Sequence, residues 1–417
     1  MKQHHVPEIA LRHFKAFMAV LEAGGLAPAG KQLRRSPSSI SRSVGILEKA
    51  FGCPLVFRSF AGMTATPEGR MVEGRCQIIK AELDACGGLL ARLQRATLRP
   101  NAAILEMQPD VSHLRALIAV HDFKSVQRAA NLLSVSQPAI SYSIRLLEAD
   151  LGVELFSRMS TGMIATPEGV TVTFAARRIL SEISKIVDDI RSSDGFSSGL
   201  VCVGGLAYSR TAILPDAIKQ VLSQNPNIVV RTVEGPIDSL LTALHGDEID
   251  VIICAHPDRA LLEGISVEPI AKDPMGLFVS VDHPLAARPQ LTLKEILAHP
   301  FILPPAGSIT RQMLEDFFRN AGCERPRGRA ETSSYSVVRN LLIESDYIAF
   351  RSLREFQIQN PDDRIVALDV SVSLPERIIC LLQRRDGRPT AAISEFIKVV
   401  RDVSGTGTGP TATLGPR

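Results

Sequence analysis

Two stretches a hundred residues apart carry the side chains best suited to chemistry, RRSPSSISR at residues 34–42 and SQPAISYSIR at residues 136–145. In the second, Gln137 can engage adenine through its paired donor and acceptor, and Arg145 can engage guanine through its fork. Ser136, Pro138, Ser141 and Tyr142 stand beside them. In the first, Arg42 is the guanine candidate. Arg34, Arg35, Ser36, Ser38, Ser39 and Ser43 are placed to meet phosphates, which position a protein on nucleic acid without reading sequence. Arg58 and Arg158, at matching places farther along, complete the set.

Those residues need short helices to present them. In the second stretch HLRALIAVHDF has helical spacing, and SVQRAANLLSV gives a short helix turning Ala129, Ala130 and Leu133 inward. Ser136 is then placed as an N-cap, with Pro138 tolerated in the first turn. Ile140, Ile144 and Leu147 form a buried stripe, and Gly152 closes the helix. Two short helices joined by a tight turn, the second exposing Gln137, Ser141, Tyr142 and Arg145, make a helix-turn-helix whose second helix can enter the major groove. The strand-like VELFSR and IATP follow, as a wing would. The first stretch has the same plan: Ser36 caps, Pro37 opens the helix, Ile40, Val44 and Leu47 face inward, and Ser38, Ser39, Arg42 and Ser43 face outward.

The likeness is a repeat. Residues 11–70 and 111–170 align without a gap and agree at 22 of 60 positions, ending in ATPEG at 65–69 and 165–169. Thr66 and Thr166, each before a proline, read as N-caps. Each ATPEG opens a long helical pattern, and the apolar stripe Ile179, Ile183, Ile186, Val187 and Ile190 predicts helix-on-helix packing. Residues 1–100 hold 15 Lys and Arg against 7 Asp and Glu, net +8, whereas the whole chain carries +3. Basic character gathered at one end suits phosphate, and a solvated basic face is the plainer alternative.

The run SVSQPAISYSIRLLEADLGVELFSR followed by ATPEG resembles the amino-terminal signature of the LysR-type transcriptional regulators. The stretch RRSPSSISRSVGILEKAFGCPLVFR matches less closely: it lacks the Gln-Pro-Ala and has Gly30 where the pattern has alanine. The resemblance continues through residues 198–403. Family members usually have one such module, so the resemblance leaves open which copy contacts DNA. The alternative for either copy is a helical pair used only for packing or dimerisation.

From Leu200 strand-like and helical runs alternate, pointing to a parallel sheet with helices on its faces. A second set, beginning with GLFVSV, follows. The resemblance implies two lobes akin to periplasmic solute-binding proteins. Ligands of such sheets lie at the carboxyl ends of strands, near helix N-termini. The candidates there are Tyr208, Ser209, Arg210, Thr211, Glu234, His256, Gly307 and Ser308, with Thr310 and Phe350 nearby. Arg210 can pair with a carboxylate.

The expected architecture is thus α/β and multidomain. It comprises a first winged helix-turn-helix with its linker helix (1–96), a linker (97–110) and a second module (111–195). An effector domain (198–403, with lobe I about 198–272 and 372–403 and lobe II about 273–371) and a flexible tail (404–417) follow. The expected function is promoter-DNA binding controlled by a small-molecule effector, with homodimer or homotetramer assembly and RNA polymerase as a further partner. The competing class is a small-molecule binding protein or enzyme on the same two-lobed scaffold. No H-E-x-x-H, G-x-x-x-x-G-K-[ST] or G-x-S-x-G is present, so no catalytic residue and no cofactor are expected. The seven cysteines (53, 76, 86, 202, 254, 323 and 380) lack C-x-x-C spacing and read as buried thiols rather than metal ligands, with redox sensing as the alternative. No window approaches the roughly 18 apolar residues of a membrane span, and the start has no signal-like run. A cytoplasmic protein without a membrane partner is the expectation.

Overall fold

A computed structural model describes residues 7–59, 62–94, 106–160, 162–192, 197–206, 211–257, 262–360 and 362–406. The chain divides into two compact units, one built mainly from residues up to Leu200 and the other from Val201 onward.

In the amino-terminal unit, helices α1 (Leu11–Ala23), α2 (Leu26–Leu33) and α3 (Pro37–Phe51) precede a hairpin of β1 (Val56–Ser59) and β2 (Gly62–Ala65) and a long helix α4 (Pro67–Gln94). The order then recurs as α5 (Val111–Phe123), α6 (Val126–Leu133), α7 (Gln137–Leu151), β3 (Phe156–Met159), β4 (Gly162–Ala165) and α8 (Pro167–Arg191). Local chemistry sets these boundaries. Ser36 Oγ accepts from Ser39 N at 3.2 Å and Ser136 Oγ from Ala139 N at 3.3 Å, which satisfies an amide at each helix start. Gly52 and Gly152 end α3 and α7 at φ 73° and 71°. Glu48 Oε1 and Glu148 Oε1 then accept from Leu55 N and Leu155 N, both at 2.9 Å, fastening each hairpin to its helix.

The twice-written ATPEG is a joint. Thr66 and Thr166 cap α4 and α8 by accepting from Gly69 N (2.9 Å) and Gly169 N (3.0 Å), and they donate to Pro54 O (2.8 Å) and Glu154 O (2.7 Å). A Cβ on Gly69 would lie 2.0 Å from Leu55 O, and one on Gly169 1.9 Å from Leu155 O. Only glycine lets helix and strand approach so closely. One apolar core runs through both sets, from Phe14, Phe17 and Leu47 to Leu117, Ile183 and Ile186. In that core α4 packs along α8, with Ile179 fully buried and Val187 and Ile190 half-buried.

The second unit holds β5 (Gly199–Gly205), α9 (Leu214–Gln224), β6 (Ile228–Val233), α10 (Ile237–His245), β7 (Val251–Ala255) and β8 (Ile265–Ser280). Then come α11 (Leu293–Leu297), β9 (Phe301–Leu303), α12 (Ile309–Asn320), β10 (Gly328–Glu331), α13 (Tyr335–Ile343), β11 (Ile348–Ser352) and α14 (Leu353–Gln359). β12 (Ile365–Ala367), β13 (Glu376–Arg384) and α15 (Ala391–Thr406) finish the unit. The sheet is mixed, which corrects the parallel expectation. β5 is parallel to β7, and β9 to β10 and β11. The long β13 returns antiparallel to both β7 and β8. β8 passes between two groups of strands, pairing with β13 as far as Pro274 and with β11 from Met275. Its first half is mostly half-exposed and its last six residues are buried, which is why only GLFVSV stands out as a strand in the sequence. Separate apolar clusters lie on the two sides of the crossing, one around Leu241, Ile252 and Leu382 and one around Leu314, Phe301 and Phe318. α15 runs to Thr406, beyond the predicted helix and into the segment expected to be a flexible tail; the rest of that tail, like most of the expected linker 97–110, lies outside the described residues.

Gly69→Ala and Gly169→Ala are each expected to destabilise the chain by about 1–3 kcal/mol, the range for an overpacked site that must shift backbone. Gly88→Ala, at an exposed position in the last third of α4 with nothing within 4 Å, is expected to stabilise by about 0.5–1 kcal/mol. Urea unfolding of the three variants checks the ranking, and equal effects would contradict it.

Candidate functional site

α7 carries its candidates on the face opposite the Ile140, Ile144 and Leu147 stripe, which is buried. Gln137, Pro138 and Arg145 are exposed, Tyr142 is 60% exposed and Ser141 is half-buried. Arg145 Nε donates to Ser141 O at 3.2 Å, so its side chain lies back along the helix. A surface hollow brings Gln137, Ser141 and Arg145 together with Arg158 of β3. Tyr142, Ser136 and Pro138 do not line it. The hollow also contains Lys124, Gln127 and Arg128 from the α5–α6 turn and α6, which sequence reasoning overlooked. The FKSVQR run carries the signal, but its apolar periodicity speaks only for the inward residues. Lys124 holds φ 51° as it closes α5, a conformation that helical periodicity does not reveal.

On α3, Ser38 and Arg42 are exposed and Ser39 is half-buried. Ser43 is a correction: it is only 5% exposed, on the inward side of the helix. Its counterpart Ser143 Oγ donates to Ala139 O at 3.0 Å, the way a helical serine satisfies itself when it faces the core. Ser36 Oγ lies 3.0 Å from Ser38 Oγ. Arg34 (φ 53°) and Arg35 join Arg12, Lys15 and Gln32 around a separate hollow that Arg42 does not line. Arg35 Nη2 donates to Gln108 there at 3.3 Å. Arg58 is exposed on β1. The basic residues of the first set are therefore spread over more than one surface.

In the second unit Tyr208, Ser209 and Arg210 lie outside the described residues. Thr211 Oγ1 accepts from Gln359 Nε2 at 2.6 Å. Gly307, at φ 75°, turns the chain into Ser308, whose Oγ caps α12 by accepting from Arg311 N at 3.2 Å. Glu234 and His256 are exposed just beyond the carboxyl ends of β6 and β7. The structure adds a bonded cluster at the crossing of β8 and β13. Arg377 donates from Nη1 to Thr310 Oγ1 at 3.0 Å and from Nε to Asp273, and Ser352 Oγ donates to the other Asp273 oxygen at 2.5 Å. Burial pushes the Asp273 carboxyl up from its ordinary range, while Arg377 and Ser352 pull it down. Arg377 and Asp273 sit in register across two strands, so sequence spacing could not have joined them. This cluster ties the start of α12 to the crossing strands, and α12 follows directly on candidates Gly307 and Ser308.

Among the described residues no His, Cys, Asp and Glu grouping could hold a metal ion, and no helix is long and apolar enough to cross a membrane. No disulfide joins the seven cysteines, of which Cys53 and Cys323 are half-buried and the other five buried. Burial pushes the Cys76 thiol up, the Cys86 and Cys254 thiols to about 12 and the Cys380 thiol to about 11.

Residues 194–405 match the LysR substrate binding domain. Residues 11–70 and again 111–170 match the bacterial regulatory helix-turn-helix protein, lysR family. Over 393 residues, 94% of this chain and 97% of the other, the sequence is 30% identical to the HTH-type transcriptional regulator GalR of Pseudomonas putida. It is 32% identical over 291 residues, 69% of this chain and 94% of the other, to the uncharacterized HTH-type transcriptional regulator YdcI of Escherichia coli. Two solved structures share the fold. CbnR, a LysR family transcriptional regulator, gives a TM-score of 0.52 at 24% identity, covering 70% of this chain and 99% of that one. A full-length OxyR variant from Pseudomonas aeruginosa gives 0.54 at 20% identity, covering 70% and 94%.

A thiol held at about 11 or above has a negligible thiolate fraction at neutral pH, and the thiolate is the reactive form. A thiol-disulfide reagent at neutral pH is therefore expected to label at most Cys53 and Cys323 quickly in the folded protein, and all seven cysteines only after denaturation. Rapid labelling of Cys76, Cys86 or Cys254, located by peptide mapping, would contradict this.

Proposed function

The chain belongs to the LysR family of bacterial transcriptional regulators, and on that premise we propose that both of its amino-terminal helix sets are winged helix-turn-helix modules that bind promoter DNA. It is a DNA-binding regulator under small-molecule control rather than an enzyme. The observation that carries the finer reading is the hollow where Gln137, Ser141 and Arg145 of α7 meet Lys124, Arg128 and Arg158. A helix with a fork and an amide beside three cations is suited to base edges flanked by phosphates. In the first module Arg42 is the base-reading candidate. Its other cations, Arg34, Arg35 and Arg58, serve phosphate contact, in keeping with the +8 charge of residues 1–100.

The effector is assigned to the second unit, at the strand ends and helix starts that hold Thr211, Glu234, His256, Gly307 and Ser308, with Tyr208, Ser209 and Arg210 contributing from the segment before Thr211. An effector controls the protein by binding its two states unequally. Effector binding at the two-lobed 198–403 region, oligomerisation of whole chains and contact with RNA polymerase at the promoter belong to the same proposal, as does a cytoplasmic location.

Mobility shifts with the DNA upstream of the chain's own coding sequence test the reading. Arg145→Ala or Gln137→Ala is expected to weaken binding about 5- to 150-fold, equivalent to about 1–3 kcal/mol for one bidentate base contact. Lys124→Ala is expected to weaken all sequences alike and to lower the salt slope by about 1. Unchanged binding in all three variants would refute the assignment of this hollow to DNA.

A further inference from the structure

The two reading modules pair with each other inside one chain, and the pairing is built to be unsymmetrical. Residues 10 and 110 occupy equivalent places in the repeat, and they form an antiparallel bridge. Leu11 N donates to Pro109 O at 2.9 Å and Val111 N to Ile9 O at 3.1 Å, the same bond made twice about a local two-fold axis. The long helices α4 and α8 pack against each other. Glu182 accepts from Arg75 at 2.9 Å and its counterpart Glu82 from Arg178 at 3.0 Å, so the helices run antiparallel.

The donors of these two bonds are not equivalent, since the counterpart of Arg178 is Ile78, and a further contact deepens the asymmetry. Arg75, 1% exposed, also places Nε and Nη2 on the two oxygens of Asp189 at 2.8 and 3.2 Å, a bidentate fork. The positions equivalent to Arg75 and Asp189 are Ala175 and Leu89. Were α8 to pair with α8 of a second copy, Asp189 would face an alanine; were α4 to pair with α4, Arg75 would keep a glutamate, Glu82, but meet a leucine in place of Asp189. Either like pairing loses the bidentate fork, so unlike pairing is selected over like pairing.

The paired heads are also unlike at the positions that meet DNA. Where α7 has Gln137, Tyr142 and Arg145, α3 has Pro37, Arg42 and Gly45. We infer that a single chain is a built-in heterodimer of reading heads, and that its DNA partner is a site with two dissimilar half-sites, one read by each module. The half-site part rests on the DNA-binding reading above; the pairing does not.

The test uses the full chain with Ala10→Cys and Asp110→Cys. Bridged residues flanked by such bonds lie about 4.5 Å apart at Cα, within disulfide reach. Mild oxidation is expected to give an internally linked chain that runs at monomer mass on a non-reducing denaturing gel, absent from either single variant. A covalent dimer would overturn pairing within the chain. A second measurement leaves the sequence untouched: light- and heavy-nitrogen chains are refolded together and cross-linked by carbodiimide at the Lys15–Glu106 ion pair. Peptides of one isotope are expected, and mixed-isotope peptides would overturn the inference. The linked chain is then used to select sites from random duplex DNA. Two dissimilar halves are expected, with Gln137→Ala relaxing one and Arg42→Ala the other. A site of two identical inverted halves would overturn the inference. Failure of a linked chain to enrich any site would overturn the DNA reading and the half-site inference with it, while the gel result would stand.

Discussion

The amino-terminal unit depends on one buried guanidinium. Arg75 reaches from α4 to two carboxylates of α8, and burial disfavours its charge while Asp189 and Glu182 favour it. Removing such a group from water is expensive, and the expense is offset only when geometry and hydrogen bonds are nearly complete. Here three nitrogens of the same side chain are bonded. Apolar contacts along α4 and α8 supply the attraction between the helices, since Ile79, Leu83, Ile179 and Ile183 are all essentially inaccessible to water. Apolar contacts alone would tolerate several partners. The buried ion makes one partner much better than the others.

From that pairing the placement of α3 and α7 follows by short, stiff links. Each long helix begins at a threonine cap and a glycine pressed against a strand carbonyl, so a hairpin cannot drift relative to its helix. Each hairpin is held in turn by a glutamate of the reading helix. Hydrogen bonds of this kind contribute modestly one by one, and their effect here is rigidity. A side chain that reads a base must sit within a fraction of an ångström of its place, so a reading face needs this kind of support.

In the second unit β8 and β13 play a comparable part. They cross between two groups of strands, and the Asp273–Arg377 pair with Ser352 and Thr310 lies where they do so. Asp273 has no exposed surface, so burial pushes its carboxyl up from the ordinary range, and the cation and hydroxyl that face it pull the other way. The cluster anchors the start of α12, whose capping residue Ser308 is an effector candidate. A ligand that pulls on this end of α12 therefore acts on a part of the fold where strands change partners.

Much of this was legible in the sequence because its causes are local. Caps, stripes and breaks are set by residues within four positions of one another, so Ser36, Ser136, Thr166, Gly152 and the Ile140–Leu147 stripe could be read directly. The repeat made them readable twice. Two kinds of feature escaped. Ser43 was misplaced although its position was readable: three residues after Ile40 and four before Leu47, it falls on the inward stripe of α3. Lys124 and Arg128 line the same hollow as Gln137 and Arg145 only because a tight turn folds α6 beside α7. The first half of β8 hides because it is half-exposed and interrupted by charges and prolines. Arg75–Asp189 and Asp273–Arg377 join residues 114 and 104 positions apart. Helices, their ends and the kinds of side chain each face offers follow from the order of residues alone, because these arise within single turns. Which faces meet, and which charges are thereby buried together, follows from the folded arrangement, because packing and desolvation depend on neighbours that the chain brings from far away.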